Sequence, residues 1–484
     1  MEISKLLVGV EIVNIIGDNT TSVFSINFNS RKTLDQSLFV AIKGTTKDGN
    51  QFIDEAIQKG AIAIVHETEH KNKKTGIVYI HVKNARSALA IMANNFYDNP
   101  SQKLRLVGVT GTNGKTTIAT LLFNLFRQLG FHCALISTIE NKIDDEIYET
   151  FQTTPDPVSI ASLLASAVSK GCTYTFMECS SHAINQRRID GLHFAGAIFT
   201  NLTHDHLDYH KTLDEYAKAK KQFFDRLPET AFALGNGDDE RAQYLLRNTL
   251  AKKYFFSLKE KSDADFVGKI MAQSINGQTI LINGKEVHTK LIGKYNASNF
   301  LGIFESAVLL GISVDKIIPL ISSLSAPAGR LEFLKSNSGV YGVIDYAHTP
   351  DALQNVLETL IKIKTKNGKI ITVVGCGGER DLTKREPMGS IACSLSDYVF
   401  FSSDNPRSED PEHILQDIVK DLPQKNYQCI ADREKAVAKA CAMARPNDIV
   451  LLAGKGPEQY QIMDGYQIHY SDGEELRKNL KIDF

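Results

Sequence analysis

No apolar run in this 484-residue chain approaches the ~18 residues that a membrane span requires. The opening MEISKLLVGVEIVNIIGDN lacks the charged-then-apolar order of a secretory signal, so neither membrane insertion nor export is expected. A surplus of one charge is missing too: 55 Lys and Arg stand against 56 Asp and Glu, a net charge of −1. Dedicated nucleic-acid binders carry a basic excess, so nucleic acid is excluded as a partner, whereas a small anion needs only a local patch. The seven cysteines are odd in number and form no C-x-x-C pair, as expected of reduced, mostly buried residues in a cytoplasmic protein. Low-complexity tracts and short-period repeats are absent. What remains is a soluble enzyme with length for roughly three domains of about 150 residues.

Three blocks separate on pattern, with predicted bounds 1–102, 103–329 and 330–484. The first holds strand-like runs at LFVAIKG, AIAIVH and IVYIHV, the helical stretch GNQFIDEAIQKG, and a closing helix over RSALAIMANNFYDNP that ends at Pro100. The second opens with LRLVGVT, an apolar run that enters a glycine-rich turn and then a helix at Lys115. Buried-strand candidates follow at CALIS, YTFMECS, AGAIFTN and AFALGN, separated by helical segments. That alternation predicts a parallel sheet covered on both faces. LSAPAGRLEFL, with Pro327 and Gly329, breaks the rhythm as a linker. The third block resumes it at GVIDYA, KIITVVGCG, DYVFFSS and DIVLLAG. The fold class is therefore α/β throughout.

GVTGTNGKTT (108–117) lies between a strand and a helix, where a phosphate loop belongs. Gly111 and Gly114 let backbone N–H groups turn toward a ligand, and the helix N-terminus adds partial positive charge. Lys115 offers a point charge to terminal phosphates, and Thr116 a hydroxyl to Mg²⁺. A strict Walker loop has glycine six residues before the lysine; here that position is Val109, so the loop is a variant. ATP is the expected ligand.

TNLTHDHLDYH (200–210) follows the strand AGAIFTN, which places His204, Asp205, His206, Asp208 and His210 at the carboxyl edge of a sheet, where open α/β folds bind ligands. Mg²⁺ prefers oxygen, so at most one imidazole ligand is expected. Glu178, at the end of YTFM, is a natural carboxylate for the ion that Thr116 touches. Lys220 sits one helical turn beyond Tyr216. Composition alone favours a solvated lysine there, among Lys218 and Lys221.

The ordered set VTGTNGKTT, TTPDP, ECSSHAINQRR, TNLTHDHLDYH with YAKAK, YNASN, APAGRLE, DYAHTP, GCGGERD, DNPR and AGKGPE resembles the Mur ligases, the ATP-dependent amino-acid ligases of peptidoglycan precursor synthesis. The likeness runs from Ser30 to Glu458 and is closest to the branch that adds 2,6-diaminopimelate. It implies an N-terminal UDP-binding domain, a central P-loop-type ATPase domain and a C-terminal Rossmann-like domain for the incoming amino acid. It also implies closure over the substrates about hinges near 100–104 and 325–330, because water would hydrolyse an exposed acyl phosphate.

The same resemblance implies residue roles. ATP would be held by Gly111, Thr112, Asn113, Gly114, Lys115, Thr116 and Thr117, with Asn299, Arg330, Asp345 and His348. Thr116 and Glu178 would share one Mg²⁺. His206 and a carbamate on Lys220 (N6-carboxylysine) would take another, which makes Lys115, Glu178, His206 and Lys220 the catalytic set. Ser30, Thr153, Thr154, Ser180, Gln186 and Arg188 would hold UDP-N-acetylmuramoyl-L-alanyl-D-glutamate. Arg380, Asp404, Asn405, Pro406, Arg407, Gly454 and Glu458 would hold meso-2,6-diaminopimelate. Arg407 can pair bidentately with a distal carboxylate, which diaminopimelate has and L-lysine lacks. The expected assembly is a monomer acting on small molecules.

Other readings compete. The lysine-adding ligase is nearest, but its kind generally lacks an arginine at position 407. Folylpolyglutamate synthases share the loop and central domain but not the uridine-type first domain or DNPR. A P-loop ATPase working on a macromolecule should show a strand ending in Asp-Glu, and none is seen. GCGGER departs from the dinucleotide pattern, with Arg380 in place of its last glycine.

Overall fold

The computed structural model describes residues 1–44, 47–68, 70, 72–150 and 152–482. Thr45 and Thr46, inside the uridine-type segment 27–49, lie outside the described residues. Each sequence block carries its own sheet. In the first, Ser25–Asn27, Ser37–Val40, Ala61–His66 and Val78–Val82 pair in parallel, and Ile12–Ile16 closes one edge antiparallel.

The central sheet has a parallel core in the spatial order Lys252–Ser257, Phe232–Asn236, Gly196–Phe199, Arg105–Thr110, Tyr174–Glu178, Cys133–Ile136. Helices on both faces bury these strands, which is why they read as continuous apolar runs. Helix Lys115–Gln128 contributes Ile118, Leu122 and Phe126 to the largest core, alongside Phe300 and Phe304 of helix Lys294–Leu309. Each such side chain contributes roughly 1.5–3 kcal/mol by leaving water.

The parallel core expected of the central block is present, and further strands extend it at both edges. Beyond Lys252–Ser257, Phe266–Ser274 continues the sheet, and Gly277–Ile282 and Lys285–Thr289 extend it antiparallel. At the opposite edge Asn141–Ile143 and Glu146–Tyr148 add an antiparallel hairpin. Phe266–Ser274 keeps most of its residues at least partly exposed, so it lacks the apolar continuity that marks the core strands.

In the third block Tyr341–Asp345, Ile449–Ala453, Ile370–Val374, Tyr398–Phe401 and Tyr427–Cys429 run parallel in that order, with Glu332–Lys335 antiparallel at the edge. Among the described residues no helix is long and apolar enough to cross a membrane, and all seven cysteines are free, with only Cys429 exposed.

One core residue makes stability depend on pH. Glu305, on the Lys294–Leu309 helix, is fully buried, and neither carboxylate oxygen has a hydrogen-bond partner among the described residues. Burial pushes its carboxyl up to about 8. The folded state therefore keeps a proton that the unfolded chain releases near its ordinary value of 4.5. Stability falls as pH rises between those values and flattens above the higher one, a loss on the order of 3–5 kcal/mol. Urea melts of Glu305→Gln across pH 5–9 should show a shallower slope and a more stable protein than the native chain at the alkaline end. An unchanged slope would remove this account.

Candidate active site

Sheet order builds the site. Strands Gly196–Phe199, Arg105–Thr110 and Tyr174–Glu178 are neighbours, so the loops at their carboxyl ends stand side by side. The phosphate loop is in the middle, Glu178 on one flank and the 200–206 segment on the other.

The loop is held from below. Asn201 accepts from the Asn113 N–H through its side chain at 2.9 Å and from the Thr112 N–H through its backbone at 2.8 Å. The Thr200 hydroxyl donates to Asn113 O at 2.5 Å. Gly111 (φ +153°) and Gly114 (φ +88°) cannot carry side chains: a Cβ would collide with Thr200 Oγ1 at the first and with Asn299 Oδ1 at the second. That contact also puts Asn299 against the loop, although the two are far apart in the chain. Thr117 is buried in the first turn of the following helix.

Three cationic heads converge here. Lys115 Nζ donates to Gly111 O (2.9 Å) and Thr112 O (2.8 Å), and Lys220 Nζ to Gly111 O (2.8 Å). Arg330 Nη2 donates to Thr116 Oγ1 at 3.1 Å, and its buried Nε has no partner. Among the described residues none of the three has a carboxylate within ion-pair distance. Lys220 is not the solvated lysine that composition favours. It is 1 % exposed, with its ammonium 4.5 Å from the centre of the Tyr216 ring. Burial, and then the charge of Lys115, hold it well below the ordinary lysine value. Burial lowers Lys115 as well, opposed by Glu178 and Asp205.

Around them lie the oxygen and imidazole donors. Glu178 is fully buried and accepts from the Thr138 N–H (2.7 Å) and hydroxyl (3.1 Å). His206 takes a left-handed conformation (φ 54°) and packs edge-on to His182. Burial drives its imidazole toward the neutral form that a metal ligand needs, against the pull of Asp205. His210 donates to or accepts from Ser181 Oγ at 2.9 Å. His204 points away, to Asp381 of the third domain at 3.1 Å. Among the described residues no three His, Cys, Asp or Glu side chains converge well enough to hold a metal alone.

The third domain faces the loop. Asp351 accepts from Asn113 Nδ2 at 3.2 Å. The Arg330 guanidinium lies 4.4 Å from the centre of the Tyr346 ring. Asp345 accepts from the Leu331 N–H at 2.6 Å, and burial pushes its carboxyl up to about 6 despite Arg330. His348 shares a hydrogen bond with Tyr346 O at 2.8 Å.

A cleft of about 1400 Å³ separates the first and central domains, lined by Ser30, Arg31, Arg86, Gln186 and Arg188 among others. Arg188 donates to Gln186 Oε1 (2.7 Å), to Thr154 O (2.7 Å) and to Gln152. Thr153 and Thr154 sit nearer Glu178: Thr154 Oγ1 donates to Glu178 O at 2.7 Å and accepts from the Ser180 N–H, while Thr153 accepts from Thr138. Ser180 caps helix Ser181–Asn185. The structure thus links Thr153, Thr154 and Ser180 to the Glu178 corner, and Ser30, Gln186 and Arg188 to the cleft.

A polar pocket occupies the carboxyl edge of the third sheet. Asn405 Nδ2 donates to Glu458 Oε2 at 2.9 Å. Arg407, at φ 58°, donates through Nη1 to Gly378 O (2.7 Å) and Asn405 O (3.3 Å), and its other guanidinium edge has no protein partner among the described residues. Pro406 O lies so close to Gly378 that a Cβ there would collide, and a Cβ on Gly454 (φ +109°) would meet Asp404 Oδ2. Arg380 is exposed at the rim. Sequence reasoning missed Thr138, Tyr346, Asp351 and Lys455. Tyr346 and Lys455 lie inside quoted motifs, so position offered a signal; Thr138 and Asp351 acquire their partners only through sheet order and domain contact.

Three family models match the chain: "Mur ligase family, catalytic domain" over 23–97, "Mur ligase middle domain" over 109–307, and "Mur ligase, glutamate ligase domain" over 329–456. A curated UDP-N-acetylmuramoyl-L-alanyl-D-glutamate–2,6-diaminopimelate ligase from Cytophaga hutchinsonii is 48% identical over 476 residues, 98% of this chain and 97% of the relative. Its counterpart from Phocaeicola vulgatus is 46% identical over 480 residues, 99% of each. A solved structure of an enzyme of that name superposes with TM-score 0.71 at 29% identity, covering 99% of both chains. The MurF ligase of Thermotoga maritima in complex with ADP shares the fold, with TM-score 0.64 at 20% identity over 94% of this chain and 98% of that one.

Proposed function

Because the chain belongs to the Mur ligase family, we propose that it joins meso-2,6-diaminopimelate to UDP-N-acetylmuramoyl-L-alanyl-D-glutamate at the cost of ATP, in peptidoglycan precursor synthesis. One observation carries this reading most directly. Lys115, Lys220 and Arg330 crowd a phosphate loop without carboxylate partners, and Tyr346, stacked by Arg330 and bonded through its hydroxyl to Glu458, joins that loop to the third-domain pocket. Lys220 is buried and Lys115 and Arg330 are half-buried, and cations held this far from water without carboxylate partners are costly unless a polyanion completes them.

A carboxylate is a poor electrophile, because its charge repels nucleophiles and oxide is a hopeless leaving group. A carboxylate oxygen of the dipeptide attacks the γ-phosphorus and ADP departs, leaving an acyl phosphate. The amine of the amino acid then attacks the carbonyl carbon, loses a proton, and phosphate leaves as the amide forms. The protein's part is positioning and charge neutralisation. Lys115 and the loop N–H groups hold the phosphates, Asn299, Arg330, Asp345 and His348 hold the nucleoside side, and Gln186 and Arg188 hold the sugar-peptide.

Mg²⁺, when bound, offsets the charge gathering on the transferred phosphoryl. Thr116 and Glu178 would hold one ion, and His206 with a carbamate on Lys220 a second. The donors fit: a hydroxyl and a carboxylate at one site, and a single imidazole beside an oxygen donor at the other, suit hard ions that keep waters and phosphate oxygens rather than filling an all-protein cage. A lysine held toward its neutral form can take up CO₂, and the carbamate replaces a cation with an oxygen donor.

The three domains are assigned to 1–102, 103–329 and 330–484. All the binding groups come from one chain, so a monomer suffices, and a cytoplasmic location fits free thiols and small soluble substrates. The lysine-adding reading is disfavoured by Arg407, whose open edge matches a distal carboxylate. ADP release from the UDP-muramoyl-dipeptide should require an amino acid and be much faster with meso-diaminopimelate than with L-lysine. Comparable rates with both would overturn the substrate assignment, and release with neither would overturn the ligase reading.

A further inference from the structure

Lys455 is a cation with no exposed surface, set in the pocket of the third domain. Its Nζ donates to Glu458 Oε2 at 3.0 Å and Asn405 Oδ1 at 3.3 Å, and stands 3.7 Å from Asp404 Oδ1. The rings of Tyr460 and Tyr470 flank it at 5.8 and 5.9 Å. Its polar contacts are all with residues assigned above to the amino acid. Without the ammonium, Asp404 and Glu458 would be two carboxylates repelling each other across Asn405.

The support beneath is equally polar. Arg433, fully buried, makes two bonds to Asp472 (2.9 and 2.7 Å) and donates to Ala453 O at 3.0 Å, the residue before Gly454. The Tyr470 hydroxyl donates to Asp472 at 2.8 Å. The strand end that delivers Lys455 is thus anchored, and its ammonium cannot retreat to water.

We propose that Lys455 is a positioning residue whose buried charge orients Glu458 and Asn405 and biases the pocket toward an amino acid with a zwitterionic distal end. The inference rests on the diaminopimelate reading above. The distal end of meso-diaminopimelate carries a carboxylate and an ammonium, net zero, whereas that of L-lysine carries an ammonium alone. Lys455 repels the second more than the first. With Asn405 it also engages Glu458 Oε2, which leaves Oε1, held only by a long 3.4 Å bond from the Tyr346 hydroxyl, as the oxygen with capacity left for a substrate ammonium.

Lys455→Met keeps the unbranched apolar stem, ending one atom short of the ammonium nitrogen, and removes the charge. In the full-length variant the KM for diaminopimelate should rise at least tenfold while the KM for ATP stays within about twofold. The ratio of kcat/KM for diaminopimelate over L-lysine should fall by at least tenfold. Lys455→Gln, shorter and neutral, should move that ratio the same way. An unchanged ratio in a folded variant, as judged by ADP binding and melting temperature, would overturn the proposal. So would failure of both variants to fold, which would make Lys455 a packing residue. The native enzyme's own preference between the two amino acids tests the underlying reading separately.

Discussion

Lys220→Ala should nearly abolish turnover, with kcat lower by on the order of 10³-fold, as for removal of a group that acts on developing charge. The Lys220 ammonium lies 2.8 Å from Gly111 O, inside the phosphate loop, and is buried beside Tyr216. A lysine lowered by burial and by Lys115 reacts with CO₂ more readily than an ordinary one. Two measurements separate its roles. ADP release reports turnover, and native enzyme stripped of CO₂ should lose activity that bicarbonate restores. Full turnover by the alanine variant would refute any role for Lys220. Indifference of the native enzyme to CO₂ would leave a lysine at the loop but remove its carbamate.

Arg407→Ala should raise the KM for diaminopimelate by roughly 10–100-fold, the range of a lost charge-assisted hydrogen-bond pair, with the KM for ATP nearly unchanged. Nη1 already serves Gly378 O and Asn405 O, so the free edge of the guanidinium is presented in a fixed direction. The left-handed backbone at Arg407 is held by its own bonds to the 462–464 turn: Arg407 N donates to Ile462 O at 3.0 Å, and Asp464 N donates to Arg407 O at 2.7 Å. Equal increases for both substrates would mean that the truncation loosened the domain rather than the pocket, and the selectivity argument would fail.

Legibility varied with burial. LRLVGV, TFM, GAIF and IVLLA are strands with both faces covered, and a run of apolar residues between turn signals announces such a strand plainly. The edge additions from 266 to 289 and 141 to 148 have partly wet faces, and their short polar-apolar mixtures resemble loops. Lys220 was misjudged by composition but not by period. Tyr216, Ala219, Lys220, Phe223 and Phe224 form one stripe at helical spacing, and all are buried. A lysine in the middle of an apolar stripe is a stronger sign than a lysine among lysines. Lys455 and Arg433 gave no comparable sign, because Asn405 and Asp472 lie 50 and 39 residues from them along the chain.

Local chemistry therefore specified the parts. Glycines at 111 and 114, a lysine at a helix start, and acids and histidines after strands are demands that short-range physics makes on neighbouring residues. Which parts meet was settled in three dimensions. Placing Arg105–Thr110 between Gly196–Phe199 and Tyr174–Glu178 brings Lys115, Glu178 and His206 to one edge. Contact between the central and third domains brings Arg330 to Thr116 and Asp351 to Asn113. Those distances depend on strand order and domain contact, which arise from the burial of many side chains together and are written in no single segment.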